Sequence, residues 1–283
     1  MAVTADDAQL DALTRINLDD FFDSLGLVGM RGVLEPLFRP AARRFAEEIA
    51  AFDARCGAEG LAAGSHWLLR RYCGSLEIVG QENVPRTGPV LVLCNHPGMA
   101  DTVAVFSALE RSDLKIIALD RPFLRALRNV YPALIPVPVE AEGDRMGVAR
   151  AALRHLRAGG AVATFPAGAI EPDPATMRGA ADSLAAWSES AAVFAERVPE
   201  TVIVPTLVSG VQSAGALRNP LRALRRTQKD KDKLSAALQI LIPAYRPVPI
   251  RVRFGAPVRI APGSGGVMEA VRAAMRAAIA EVG

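Results

Sequence analysis

The sequence predicts an α/β fold: a twisted, mostly mixed β-sheet flanked by helices, with an N-terminal helical region before it. Two observations carry this. From Leu76 onward short apolar runs alternate with helical stretches, the pattern of a sheet sandwiched by helices. From Asp6 to about Tyr72 the apolar spacing is helical throughout. At 283 residues, 51% of them hydrophobic, the chain can bury a substantial core.

The elements follow in order. Leu10, Leu13, Ile16 and Leu18 lead toward Phe21-Phe22; a second helical segment runs from Leu37 through Phe45, Ile49 and Phe52, and a third from Leu61 to Tyr72. Gly26 to Gly29 and Gly57 to Gly60 supply the breaks. Strands are expected at Leu76–Val79, Val90–Cys94, Lys115–Leu119, Ala133–Pro138, Ala161–Phe165, Val202–Val208 and Ile250–Phe254. Helices are expected at Asp101–Leu109, Pro122–Arg128, Arg145–Arg157, Ala180–Glu196, Leu234–Leu241 and Gly266–Val282. This divides the chain into a helical region, 1–75, and an α/β domain, 76–283.

Several chemistries are excluded by what is missing. There is no G-x-S-x-G elbow, no phosphate-binding P-loop and no G-x-G-x-x-G fingerprint. Cys56, Cys73 and Cys94 lack metal-ligand spacing, and their odd number fits a reducing compartment. No apolar run approaches the roughly 20 residues of a membrane-spanning helix. The acidic opening Met1–Asp7 lacks the order of a secretory signal. A cytoplasmic protein, peripheral on the inner face of the cell membrane, is the expectation.

The most informative stretch is Asn95-His96-Pro97-Gly98-Met99-Ala100-Asp101, directly after the apolar run Val90–Cys94. A strand end followed by turn residues and a helix is where α/β sheets place ligand sites. Histidine moves protons near neutral pH, and a carboxylate on its second ring nitrogen fixes the tautomer. The alternative is plain: His96 ends the strand and Asp101 caps the helix. Cys94, in an apolar strand, reads as a buried thiol and leaves His96 without a protein nucleophile.

The surrounding blocks resemble the glycerolipid acyltransferases, the lysophosphatidic acid acyltransferase (PlsC-like) family. Asn95-His96 with Asp101 resembles the first block, and Leu76-Glu77-Ile78-Val79-Gly80-Gln81-Glu82-Asn83-Val84-Pro85 resembles the approach to it. Ala133-Leu134-Ile135-Pro136-Val137, Thr164-Phe165-Pro166-Ala167-Gly168-Ala169 and Val204-Pro205-Thr206 resemble later blocks in the right order. Val252-Arg253-Phe254-Gly255 matches more weakly. The resemblance implies the fold described above and fatty acyl transfer from an acyl thioester, on coenzyme A or acyl carrier protein, to a lipid or glycerol-phosphate hydroxyl. No cofactor is expected beyond that co-substrate. His96 and Asp101 would be catalytic, and Asn95, Arg121, Phe165, Pro166, Gly168 and Glu171 would bind substrate.

The departures bear on the acceptor. Ala167 stands where the family has a glutamate, and Pro138-Val139-Glu140 where it commonly has a phosphate-holding arginine; no cation follows until Arg145. Glu171 is a candidate replacement for the lost carboxylate. Arg121, Arg125 and Arg128 would share a helix face and could grip phosphate. A non-phosphate acceptor, or a catalytically weak lipid-binding protein, are the alternatives. Membrane contact is expected through Leu217 to Lys233, where basic residues interleave with leucines. That run lacks aromatic residues, so no nucleic acid is expected.

Overall fold

The computed structural model describes residues 7–98, 100–139, 145–259 and 266–282. Three helices come first: α1 (Asp7–Leu25), α2 (Arg31–Glu59) and α3 (Leu61–Tyr72). The rest is β1 (Ser75–Val79), β2 (Val90–Cys94), α4 (Asp101–Leu109), β3 (Lys115–Leu119), α5 (Pro122–Arg125), β4 (Leu134–Val137), α6 (Arg145–Arg157) and β5 (Ala161–Thr164). Then come α7 (Ala180–Ser183), α8 (Ser190–Arg197), β6 (Val202–Ser209), α9 (Ala214–Leu217), α10 (Gln228–Leu241), β7 (Pro249–Phe254) and α11 (Val267–Ala280).

The seven strands form one mixed sheet in the order β1-β7-β6-β2-β5-β3-β4. Pairing is parallel everywhere except between β6 and β7. β2 lies in the middle and every residue of it is buried. Its alternate side chains go to opposite faces, as the two-residue strand period requires. Val90, Val92 and Cys94 enter a core with residues of α2, α3 and α4, whereas Leu91 and Leu93 pack with α6, α8 and α11. A strand covered on both faces reads as an unbroken apolar run, which explains why Val90–Cys94 stood out.

The differences from expectation have local causes. The helix at Pro122 lasts one turn, so Arg121, Arg125 and Arg128 do not share a face; Arg125 instead forms a fork with Asp120 at 2.7 and 2.6 Å. The expected helix Ala180–Glu196 breaks at Trp187, whose backbone is extended while its indole reaches Glu171. α10 starts six residues earlier than Leu234, because Thr227 caps it by accepting from the Asp230 amide. α2 continues through Gly57 and through Pro36 and Pro40; the carbonyls those prolines leave free belong to exposed Gly32 and Pro36. The chain turns only at Gly60, with φ +93°.

One buried carboxylate ties the N-terminal helices to the sheet. Asp53 of α2 accepts from the Asn129 and Val130 amides at 2.9 and 3.0 Å, and from the Asn129 and Gln9 side chains at 3.1 Å each. Asn129 and Val130 belong to the segment that follows β3 and α5, so α1 and α2 are fastened to the loop region carrying Arg121.

Candidate active site

The site forms at the carboxyl edge of the parallel strands. His96 follows β2, Arg121 follows β3, Phe165 follows β5 and Gly210 follows β6. After β2 the chain turns at Gly98, φ +123°, a conformation that side chains rarely adopt. Ala100, not Asp101, occupies the N-cap of α4. Asp101 sits one residue inside and folds its carboxylate back into the loop. One oxygen accepts from the Gly98 amide at 2.8 Å and lies 2.7 Å from His96 Nδ1; the other accepts from the Thr102 amide and hydroxyl. The helix N-terminus favours the anion there.

His96 is 28% exposed and Asp101 1%. With Nδ1 engaged by Asp101, Nε2 is the ring atom left to exchange a proton. The Phe165 ring stacks on the imidazole, with centroids 4.5 Å apart. Burial pulls the His96 pKa down, and the nearby Arg121 charge acts the same way. The Asp101 carboxylate, by charge and hydrogen bond, together with Glu171, outweighs both and holds it above the ordinary value near 6.5. The neighbouring Cys94 is fully buried, and burial pushes its thiol well up, so it stays neutral.

Other residues expected to bind substrate have different roles. Asn95 is buried, and its amide bridges to β6: Nδ2 donates to the Val208 carbonyl at 2.8 Å, and Oδ1 accepts from the Val208 amide at 2.7 Å. With both ends committed it clamps two strands and offers nothing to a ligand. Glu171 is also buried and fully used. Its Oε2 accepts from the His96 amide at 2.8 Å, its Oε1 accepts from Ser183 and from the Trp187 indole at 2.8 Å each, and its own amide donates to the His96 carbonyl at 2.7 Å. It grips both sides of the His96 backbone and does not face a substrate.

The Phe165–Gly168 turn places its parts unequally. The Pro166 carbonyl accepts from Ser188, and the Gly168 amide donates to the Phe165 carbonyl at 3.0 Å, so that amide serves the turn. Gly168 contributes its φ of +63°. The Ala167 and Ala169 amides carry no hydrogen bond among the described residues. Met99 and Glu140, with the opening residues Met1–Asp6, lie outside the described residues.

Sequence reasoning missed a second ring of support. Gln212 donates to the Pro97 carbonyl at 2.7 Å, fixing the turn after His96. Asp173, fully buried, accepts from the Gly210, Gln212 and Ala175 amides at 2.8, 2.9 and 3.0 Å. Nothing in the spacing of these residues marks them; a polar residue in a loop just beyond a strand end is the only available hint.

A family model described as Acyltransferase matches residues 75–209. The fold is similar to the crystal structure of the 1-acyl-sn-glycerophosphate (LPA) acyltransferase, PlsC, from Thermotoga maritima. That alignment has a TM-score of 0.50 at 13% identity and covers 95% of this chain and 97% of that one. No curated protein matches the sequence. The motif blocks, the family model over residues 75–209 and the fold agree in their likeness to the PlsC-like glycerolipid acyltransferases.

Proposed function

We propose that the protein moves a fatty acyl group from an acyl thioester to a hydroxyl of a lipid or glycerol-phosphate acceptor, with His96 as general base. The observation that carries this is the part-buried contact of 2.7 Å between His96 Nδ1 and Asp101, which leaves Nε2 available at the strand edge. Nε2 takes the acceptor proton as the hydroxyl oxygen attacks the thioester carbon. The tetrahedral oxyanion then collapses, the carbon–sulfur bond breaks, and the imidazolium returns its proton to the departing thiolate. Asp101 stabilises that imidazolium and holds the tautomer. The Ala167 and Ala169 amides are the donors in this turn open to an oxyanion. Arg121, close enough to His96 to act on it by charge, would be the cation for a phosphate on either substrate.

A second reading, an acceptor without phosphate, is favoured by Ala167 standing where the family carries a carboxylate. Thiol release from acyl coenzyme A or acyl carrier protein, measured with total lipid extract as acceptor, tests the proposal. No release with any acceptor would leave only a lipid-binding protein.

Glu171 is a positioning residue in this mechanism. Glu171→Gln keeps its shape but weakens its grip on His96 and Trp187, and small displacements of a catalytic group cost up to about 100-fold. The expected result is a kcat loss of roughly 10- to 100-fold with little change in KM. The Trp187 emission should shift, because its indole loses an anionic partner. An unchanged kcat would remove Glu171 from the mechanism.

Membrane docking belongs to the same proposal, with an apolar surface added beside the basic run. Within Leu217–Lys233, Arg222 is held by Asp232, Arg225 reaches Asp230 and the Asp23 carbonyl, and Lys233 pairs with Asp23. Three of the seven cations in that run are thus paired within the protein, while Arg218, Arg226 and Lys229 stay exposed. Apolar exposure is greatest nearby: Val33 is 80% and Leu37 72% exposed, one helical turn apart on α2, with Val28, Met30 and Leu224 also exposed. No helix among the described residues is long and apolar enough to cross a membrane. Val33→Glu with Leu37→Glu is expected to reduce sedimentation with phosphatidylglycerol vesicles at least tenfold without changing the melting temperature. Undiminished sedimentation would rule this surface out.

A further inference from the structure

We infer a second ligand site, remote from His96, in which a cleft between α2, α3 and the end of α4 binds a soluble phosphate-bearing molecule. The cleft has a volume of about 870 Å³, in the range of small-molecule sites. Its wall is built around Trp67, whose ring centroid lies 4.9 Å from the Arg55 guanidinium and 4.7 Å from that of Arg71. Cation–π contact restrains both forks before any ligand arrives, which lowers the ordering cost of binding. Arg55 is further fixed by Glu59 at 2.9 Å.

Two more basic side chains are uncommitted. His66 and Arg70 lie four residues apart on α3, line the same cleft, and make no hydrogen bond or ion pair among the described residues. At the floor is Ser107, only 7% exposed, whose hydroxyl has no partner among the described residues. Guanidinium forks, an imidazole and a hydroxyl meeting in one concavity suit phosphate oxygens. Glu59 and Glu110 are the acidic residues of the lining, and Glu48 reaches Arg71 from outside it at 3.8 Å, which leaves Arg70 as the arginine of the lining without an acidic partner among the described residues. Glu110 ends α4 at φ +46°, the one non-glycine residue with positive φ among the described residues. Strained backbone of this kind concentrates at binding sites.

The place of the cleft separates it from both surfaces already described. α4 begins at Asp101 and runs roughly 13 Å to the end that lines the cleft, away from the dyad. Along α2, Arg55 lies roughly 33 Å from the exposed Val33 at 1.5 Å per residue. If that apolar end meets a bilayer, the cleft faces water, so its phosphate comes from solution and not from a lipid headgroup. This choice of source rests on the proposed membrane face; the site itself does not.

Titrating the full chain with sodium phosphate, pyrophosphate and ATP at constant ionic strength, read by tryptophan fluorescence, tests it. Saturable quenching by pyrophosphate or ATP is expected, weakened at least tenfold in R70Q and in H66Q with R70Q, absent in W67F and kept in H96A. Three results would overturn the site: no saturable change with any of the three, equal affinity in the R70Q variants, or loss of binding in H96A. The solution source is tested separately, using V33E with L37E to disable docking. Capture of that variant by phosphatidic acid vesicles, in an R70-dependent manner and with no response to soluble phosphates, would overturn the assignment to a soluble ligand.

Discussion

His96→Ala should lower kcat/KM for acyl transfer by on the order of 10²- to 10⁴-fold, the contribution of a positioned general base. The fold should survive, because the imidazole is part-exposed and makes one side-chain hydrogen bond, to Asp101. Circular dichroism and the melting curve should overlay those of the native protein. Asp101→Asn gives a sharper readout. The His96 pKa sits above 6.5 because Asp101 and Glu171 overcome burial and Arg121. A base must be neutral to accept a proton, so kcat/KM should rise with pH through that raised value. Without the Asp101 charge, burial and Arg121 prevail more nearly, and the acid limb should move to lower pH as the maximum rate falls. Thiol release that persists in His96→Ala, or an acid limb unmoved in Asp101→Asn, would refute this use of the dyad.

Asp53→Ala is expected to cost about 3–5 kcal/mol of unfolding free energy, the largest stability effect of any single change considered. Its carboxylate satisfies two backbone amides and two side-chain amides in a buried setting, and each orphaned buried donor costs roughly 1–3 kcal/mol. Urea unfolding should show a lower midpoint with a similar slope. Asp53→Asn retains one acceptor oxygen and should lose less. Because Asn129 and Val130 follow the segment carrying Arg121, a loss of affinity for phosphate-bearing substrates should accompany the loss of stability. A change below about 1 kcal/mol would mean that water replaces the carboxylate easily, against the burial seen here.

The strands were legible because their signal is local. Val90–Cys94 and Lys115–Leu119 are apolar runs bounded by turn residues, and their limits agree with the fold residue for residue. Asp101–Leu109 and Arg145–Arg157 were equally clear as helices. Where reading failed, a distant partner decided the outcome. Trp187 breaks an otherwise helical stretch because its indole serves Glu171, and Arg125 turns to Asp120 once α5 stops after one turn. Helical periodicity alone holds no information about either.

By itself the sequence determined the layered α/β architecture and the juxtaposition of His96 with Asp101, since five residues and a glycine turn suffice to fold one onto the other. Only the tertiary structure decided what Asn95 and Glu171 do. Their partners are 113 and 75 residues away, on a neighbouring strand and on the histidine backbone. Strand order in a sheet is fixed by the packing of the whole chain, and a buried amide or carboxylate must satisfy whichever groups that order brings beside it. The same residues that read as ligands for a substrate therefore became the supports that hold His96 in place.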